Sequence, residues 1–145
     1  MGHGIAQSFA QKAYSVTLYD LNDSILERAL SQIRSNLETF VEVGLETKEN
    51  IEKVLSHIRV SIDLQEAVKE AHLVLEAAPE ELMLKRSLFE ALDRYCLEDT
   101  ILASNTSTLP IAEIGKRVKR KERLVITHWF NPPHIIPVVE VVRGE

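Results

Sequence analysis

The sequence has little cysteine, no long apolar run and no excess of basic residues, and each shortage excludes a class of protein. The single cysteine, Cys96, rules out an internal disulfide, which suits a reducing compartment such as the cytoplasm or an organelle matrix. No apolar run approaches the roughly 20 residues that a membrane-spanning helix requires. The first residues, MGHGIAQSFA, lack the charged start of a signal peptide. The sequence therefore predicts a cytoplasmic protein with no membrane partner.

The charge balance argues against nucleic acid as a partner. The chain carries 17 Lys and Arg against 22 Asp and Glu, with a net charge of −5 and an isoelectric point near 5.6. Such a chain has no basic excess with which to neutralise phosphates. One basic cluster, residues 116–121 (KRVKRK), is followed at once by Glu122. We interpret this cluster as a solvated helix end rather than a binding patch.

Short β-branched runs alternate with segments of helical periodicity along a chain of 145 residues, the size of one domain. The helices are predicted at residues 2–13, from a cap at 22–24 to 43, at 48–55, 64–68, 79–95 and 110–117. The strands are predicted at residues 15–19, 58–62, 72–76, 100–103, 124–127 and 138–142. This alternation is typical of βαβ units. We therefore predict an α/β, Rossmann-like, doubly wound fold with a mostly parallel sheet.

A Rossmann unit starts with a strand and a glycine-rich turn, but this chain starts at the helix that should follow them. Gly2-His3-Gly4 resembles the tail of such a turn, so we expect a domain that lacks its first strand. The alternative is a helical start with two chance glycines. Asp20 follows strand 15–19, where a carboxylate can bind the adenosine-ribose hydroxyls of NAD and repel the 2′-phosphate of NADP. Its alternative role is that of a turn or capping residue.

Polar residues follow three of the predicted strands at the point where each strand ends. The segment EAAPE, residues 76–80, follows the third strand, SNTS, residues 104–107, follows the fourth, and His128 follows the fifth. Ligands bind at the carboxyl ends of strands in open α/β sheets. The sequence therefore predicts a site at this edge of the sheet.

His128 and Glu140 are candidates for a working pair. Imidazole exchanges protons near neutral pH, and a carboxylate on its other nitrogen fixes the tautomer and stabilises the imidazolium. Glu140 lies inside the apolar run PVVEVV, and a carboxylate buried there would need a partner. The alternative is that Glu140 points to solvent from an edge strand and that His128 is a core histidine. The residues alone leave both interpretations open.

Several segments together closely resemble the L-3-hydroxyacyl-CoA dehydrogenase family. They are MGHGIAQSFA, LYD, SNTSTLPI, HWFNPP and IPVVEVV, and the resemblance covers essentially the whole chain. The most specific are SNTS and H-x-F-N-P, which lie 24 residues apart when counted from Ser104 to His128. The resemblance implies the NAD-binding domain of an enzyme of fatty-acid β-oxidation, which reversibly oxidises L-3-hydroxyacyl-CoA to 3-ketoacyl-CoA.

The resemblance also implies roles for individual residues. His128 would be the catalytic base, Glu140 its partner and Ser107 the residue that binds the reacting oxygen, while Asn131 would contact substrate. The residues implied on the cofactor side are Gly2, Asp20, Glu80, Lys85 and Asn105. Glu80 could instead only complement a helix dipole, and Lys85 could be a solvated helix residue. No metal is implied.

The departures from the family pattern concern completeness and substrate. The first strand, the first two fingerprint glycines and the family's C-terminal helical domain are absent from this sequence. We therefore expect these residues alone to be inactive, and the parent protein to form a homodimer through that domain. Trp129 and the segment 133–137 (PHIIP) also resemble relatives that act on free 3-hydroxy acids, such as L-gulonate and carnitine dehydrogenases. A third possibility is a non-catalytic NAD-binding module, like the lens crystallin of this family.

Overall fold

The computed structural model describes residues 1–144, which divide into two compact units. The first unit comprises residues 1–67 and 132–135, and the second comprises residues 68–131 and the chain from 136 onward. The helices are α1 (Gly2–Ala10), α2 (Asp23–Glu42), α3 (Lys48–Ser56), α4 (Leu64–Val68), α5 (Leu82–Tyr95) and α6 (Ile111–Ile114). The strands are β1 (Val16–Tyr19), β2 (Ile58–Ser61), β3 (Leu73–Glu76), β4 (Ile101–Ser104), β5 (Leu124–Trp129) and β6 (Val139–Arg143).

The first unit consists of the parallel pair β1–β2 with α1, α2 and α3 packed beside it. Asn22 caps α2 as predicted, because its Oδ1 accepts the backbone N–H of Ile25 at 3.1 Å. The helix then buries one apolar stripe against the core. The buried core residues of this unit include Ala6, Ala10, Ile33, Leu37, Ile51 and Val54.

Helix α1 is shorter than the predicted 2–13, because it ends at Ala10. The backbone N–H of Ala13 turns back to the carbonyl of Ala10, and Ala13 adopts a left-handed φ of 62°. This reversal leads the chain into β1, so Ala13 lies exposed instead of on the buried face. The prediction was wrong for this last turn because the apolar residue spacing continued past the point where the backbone reverses.

The second unit contains a four-stranded sheet in the order β3-β4-β5-β6. The first three strands are parallel and β6 runs antiparallel to β5. The carboxyl ends of β3, β4 and β5 therefore lie at the same edge, as predicted. The buried apolar residues of this unit include Phe89, Leu92, Leu102, Ala103, Ile114 and Leu124. The α/β prediction with mostly parallel strands is confirmed.

Helix α5 starts later than predicted, at Leu82 instead of Pro79. Glu81 is extended, with φ −120° and ψ 114°, so helical geometry cannot begin before it. The predicted helix 110–117 is likewise divided into α6 and a 3₁₀ turn at Gly115–Arg117.

The basic cluster 116–121 is paired with acidic residues of the second unit. Arg117 lies 3.1 Å from Glu90, and Arg120 lies 2.5 Å from Glu98, with all four side chains at least one-third exposed. This geometry agrees with the interpretation of a solvated, charge-balanced surface. No helix within residues 1–144 is long and apolar enough to cross a membrane.

Candidate active site

His128 and Glu140 are cross-strand partners in the antiparallel pair β5–β6. Side chains of directly opposed residues leave the sheet on the same face, so this register brings the two together. The Nδ1 atom of His128 lies 2.8 Å from Oε2 of Glu140. The structure combines the two interpretations left open by the residues: the side chain of Glu140 is 60% exposed on an edge strand, yet it pairs with His128, whose side chain is 27% exposed.

Ser107 lies on the other side of the same imidazole. Its Oγ is 3.1 Å from Nε2 of His128. An ionised carboxylate can only accept a hydrogen bond, so Glu140 places the imidazole hydrogen on Nδ1. Nε2 is then the acceptor that faces the serine hydroxyl. Ser107, His128 and Glu140 thus form one hydrogen-bonded chain, in which Nε2 of His128 is the proton acceptor.

Glu80 binds the turn that carries Ser107. Its Oε1 accepts hydrogen bonds from the Thr106 hydroxyl, from the backbone N–H groups of Ser107 and Thr108 at 3.2 Å, and from the Thr108 hydroxyl at 3.1 Å. Partial burial on its own would raise the pKa of Glu80. The hydrogen bonds from Thr106, Thr108 and Lys85 outweigh it and lower that pKa to about 2. Glu80 is therefore a carboxylate, not a carboxylic acid, at neutral pH.

Lys85 is buried instead of solvated, which excludes the alternative considered for it. Its Nζ donates to Glu76 Oε1 at 2.7 Å and to the Ala78 carbonyl at 3.2 Å, and lies 3.3 Å from Glu80 Oε2. The side chains of Lys85 and Glu76 are each 1% exposed. The second oxygen of Glu76 accepts the Ser104 hydroxyl at 2.5 Å. This ion pair joins the ends of β3 and β4 to the first turn of α5.

Asn105 links two strand ends beside the imidazole. Its backbone N–H donates to the Glu76 carbonyl at 2.8 Å, and its Oδ1 accepts the backbone N–H of Trp129 at 2.8 Å. Asn105 thus fixes the strand segment next to His128. Asn131, placed by the sequence at the substrate, follows β5 with an exposed side chain.

The two cofactor residues predicted near the start of the chain lie in the first unit. Gly2 is the first residue of α1, and Asp20 directly follows β1 and accepts the backbone N–H of Leu21 through Oδ1 at 2.7 Å. Gly4, in the same helical turn, packs against Pro133, since a Cβ added at Gly4 would lie 2.7 Å from Pro133 Cγ. The helix start is therefore closely packed on one side.

The sequence analysis placed Glu76 and Thr106 within segments of the predicted site but gave them no individual role, and it missed Thr108. A signal for Glu76 was present, because it is a carboxylate at the end of an apolar strand, directly opposite Ser104 in the parallel register. The roles of the two threonines depend on Glu80, which is far away in sequence. Within residues 1–144, no group of three or more His, Cys, Asp or Glu side chains is arranged to hold a metal ion.

Comparison with known proteins is decisive for the family. The family model described as the 3-hydroxyacyl-CoA dehydrogenase NAD binding domain matches residues 1–145 of this sequence. The chain belongs to the 3-hydroxyacyl-CoA dehydrogenase family. It is an NAD-binding domain of that family, and NAD is its cofactor.

Relatives of this 3-hydroxyacyl-CoA dehydrogenase domain are found in plants and bacteria. A glyoxysomal fatty acid β-oxidation multifunctional protein of Brassica napus is 38% identical over 99% of this chain. A probable 3-hydroxybutyryl-CoA dehydrogenase of Bacillus subtilis is 40% identical over 99% of this chain. The crystal structure of 3-hydroxybutyryl-CoA dehydrogenase from Escherichia coli matches 97% of this chain and 30% of that one, with a TM-score of 0.93 at 38% identity. The chain spans 20% of the plant relative and 50% of the Bacillus relative.

Proposed function

We propose that the protein containing this domain is an NAD-dependent dehydrogenase that interconverts L-3-hydroxyacyl-CoA and 3-ketoacyl-CoA. The observation that carries the proposal is the hydrogen-bonded chain of Ser107, His128 and Glu140 at the carboxyl edge of parallel strands. Alcohol oxidation needs a base for the hydroxyl proton, and a neutral imidazole oriented by a carboxylate supplies it. Family membership indicates the same reaction.

In the oxidation direction, Nε2 of His128 accepts the proton of the C3 hydroxyl. Glu140 stabilises the imidazolium that forms and keeps Nδ1 protonated throughout. The Ser107 hydroxyl, held beside the imidazole, hydrogen-bonds the oxygen that changes from alcohol to ketone. Bound NAD supplies the acceptor for the hydride that leaves C3, so the substrate loses two hydrogens in all. In the reverse direction His128 returns the proton.

The donor set of the first unit fits a dinucleotide. The start of α1 at Gly2 presents backbone N–H groups that suit the pyrophosphate, since the positive end of a helix dipole binds anions. Asp20 has a carboxylate at the end of β1, which suits the two ribose hydroxyls of NAD and disfavours the 2′-phosphate of NADP. The absence of basic side chains immediately after Asp20 supports the same preference.

In the second unit we assign Glu80, Lys85 and Asn105 to the cofactor side and Asn131 to substrate. Lys85 already shares its ammonium group between two carboxylates, so its effect on a ligand would be exerted through Glu80. The exposed amide of Asn131 is accessible to substrate.

Substitution of His128 tests the proposal in the full-length protein. His128→Gln should lower turnover of 3-hydroxybutyryl-CoA by about 10²- to 10⁴-fold, the range expected for loss of a general base. The dissociation constant of NADH, measured by its fluorescence, should stay within about twofold. His72→Gln, at an exposed histidine before β3, is the matched control. Full turnover in His128→Gln would refute the mechanism.

The substrate class is tested by comparing kcat/KM on three compounds. We expect 3-hydroxybutyryl-CoA to be preferred over L-gulonate and L-carnitine. A preference for either free acid would move the assignment to the 3-hydroxy-acid dehydrogenases. NADH binding without turnover of any of the three would support the non-catalytic module.

Two further properties of the full-length protein are proposed. A cytoplasmic location is consistent with the free thiol of Cys96, and fractionation of cells tests it. A homodimer formed through a C-terminal helical domain is the assembly expected from the family resemblance. Light scattering of the full-length protein should give twice the monomer mass.

A further inference from the structure

The turn that carries Ser107 is shaped by one carboxylate oxygen. Oε1 of Glu80 accepts two successive backbone N–H groups, those of Ser107 and Thr108, and the hydroxyls of Thr106 and Thr108. Consecutive N–H groups that converge on one anion form a concave nest whose backbone conformation depends on that anion. Thr106 reinforces the turn, because its hydroxyl also accepts the backbone N–H of Leu109 at 2.9 Å.

The carboxylate of Glu80 is itself anchored by a buried lysine. Its second oxygen, Oε2, lies 3.3 Å from the ammonium group of Lys85, which is buried and also bound to Glu76. Glu76 in turn accepts the hydroxyl of Ser104, at the end of β4. The orientation of Glu80 is therefore fixed by the strand ends, not by solvent, although its side chain is 40% exposed.

Ser107 connects the hydrogen bonds of Glu80 to the imidazole of His128. Its backbone N–H is bound to Glu80 and its hydroxyl lies 3.1 Å from Nε2 of His128. Its side chain is exposed, so neighbouring side chains do little to restrain it and the backbone decides where Oγ lies. A displacement of about 1 Å in a reacting group can cost about 10² in rate.

We propose that Glu80 is a positioning residue for the reaction: anchored by Lys85, it fixes the Thr106–Thr108 turn so that the Ser107 hydroxyl stays against His128. The proposal deepens the proposed function and rests on it for the reaction that Ser107 and His128 serve. Because the pKa of Glu80 is about 2, its carboxylate holds the turn at every pH at which a dehydrogenase works. This role is separate from the contact with the cofactor proposed above for Glu80, which would act on NADH affinity and not on kcat.

A double-mutant cycle in the full-length protein separates positioning from the other roles. Glu80→Gln keeps the size of the side chain but replaces the oxygen pair with one oxygen and one amide group, which repels Lys85. It should lower kcat about 10- to 100-fold, whereas loss of a cofactor contact alone would raise only the NADH dissociation constant. In a Ser107→Ala background the same change should cost less than about threefold, because residues that act through one another are not additive. Glu81→Gln, a neighbouring exposed carboxylate, should change neither value in either background.

Two more measurements keep the test decisive. Thr108→Val removes one donor to Glu80 without disturbing Lys85, and should lower kcat about threefold only when Ser107 is present. The ¹⁵N shift of Nε2 of His128 reports the serine hydrogen bond without any turnover. Glu80→Gln should move that shift toward its value in Ser107→Ala, and Glu81→Gln should leave it in place.

Each outcome has one meaning. Equal losses of kcat in both backgrounds, an unchanged imidazole shift, or a loss confined to NADH affinity would overturn the positioning role. Absence of turnover in the unsubstituted protein would overturn the proposed function instead, and the imidazole shift would still decide whether Glu80 controls the contact between Ser107 and His128.

Discussion

Replacement of Lys85 should produce a large and local loss of stability. The side chains of Lys85 and Glu76 are each 1% exposed, so Lys85→Met leaves a carboxylate that water cannot reach. Breaking a buried ion pair costs about 3–5 kcal/mol. Glu76 keeps its hydrogen bonds from Ser104 and from the backbone N–H of Ala78, which places the expected cost near the lower limit, about 3 kcal/mol. At about 1.4 kcal/mol per factor of ten, local opening should become about 150-fold more frequent.

Hydrogen exchange of the full-length protein, read by mass spectrometry, measures that opening directly. Peptides that cover β3 and β4 should exchange about 150-fold faster in Lys85→Met, as that free energy implies. Adding Glu76→Gln to Lys85→Met should restore most of the protection from exchange, because residue 76 then no longer carries a buried, unpaired charge. Arg117→Met, which breaks an exposed pair in the same unit, should change exchange less than about fivefold. Acceleration below about tenfold in Lys85→Met would refute the reasoning, since the pair would then be solvated in the folded protein.

Three further predictions concern other parts of the domain. Glu140→Gln in the full-length protein should lower kcat by about 10²-fold with little change in KM, because the imidazolium loses its anionic partner; an effect on KM alone would contradict this role. The lowered pKa of Glu80 means that its carboxylate stabilises the fold above about pH 4.5 and that this contribution disappears as the pH falls toward about 2. Acid titrations of the parent and Glu80→Gln, followed by circular dichroism, should therefore converge over that window, and a constant difference would contradict the linkage. Gly4→Ala should lower thermal stability by about 1 kcal/mol, because a crowding cost of about 1–3 kcal/mol against Pro133 exceeds a gain of about 1 kcal/mol in helix propensity; an unchanged melting temperature would count against this contact.

The parts of the fold that local chemistry determines could be predicted from the sequence. The cap at Asn22 and the strand ends at Glu76 and Ser104 depend on residues within a few positions of one another. The pairing of His128 with Glu140 was one of two interpretations that the residues left open, and the family resemblance indicated it. These predictions needed no knowledge of the order of strands in the sheet.

Other features depended on strand order or on partners that the local sequence does not reveal. The exposure of Glu140 was left open because an apolar run is compatible with a central or an edge strand, and only the sheet order places β6 at the edge. The environment of Lys85 was unforeseen because lysine on a helix is ordinarily solvated, and its partner Glu76 lies on a strand before the helix. The role of Glu80 was not predictable because its hydrogen-bond donors are 26 to 28 residues away in the chain.

The ladder between β5 and β6 makes the pairing of His128 with Glu140 a property of strand register. Five consecutive cross-strand pairs, from Val125 with Arg143 to Trp129 with Val139, set which side chains face one another. A slip of one residue would send Glu140 to the opposite face and break the pair. A change in the connecting loop that shifted the register by one residue would therefore separate His128 from Glu140 although both residues were kept. Comparative searches for this pair should accordingly compare the strand register as well as the two residue identities.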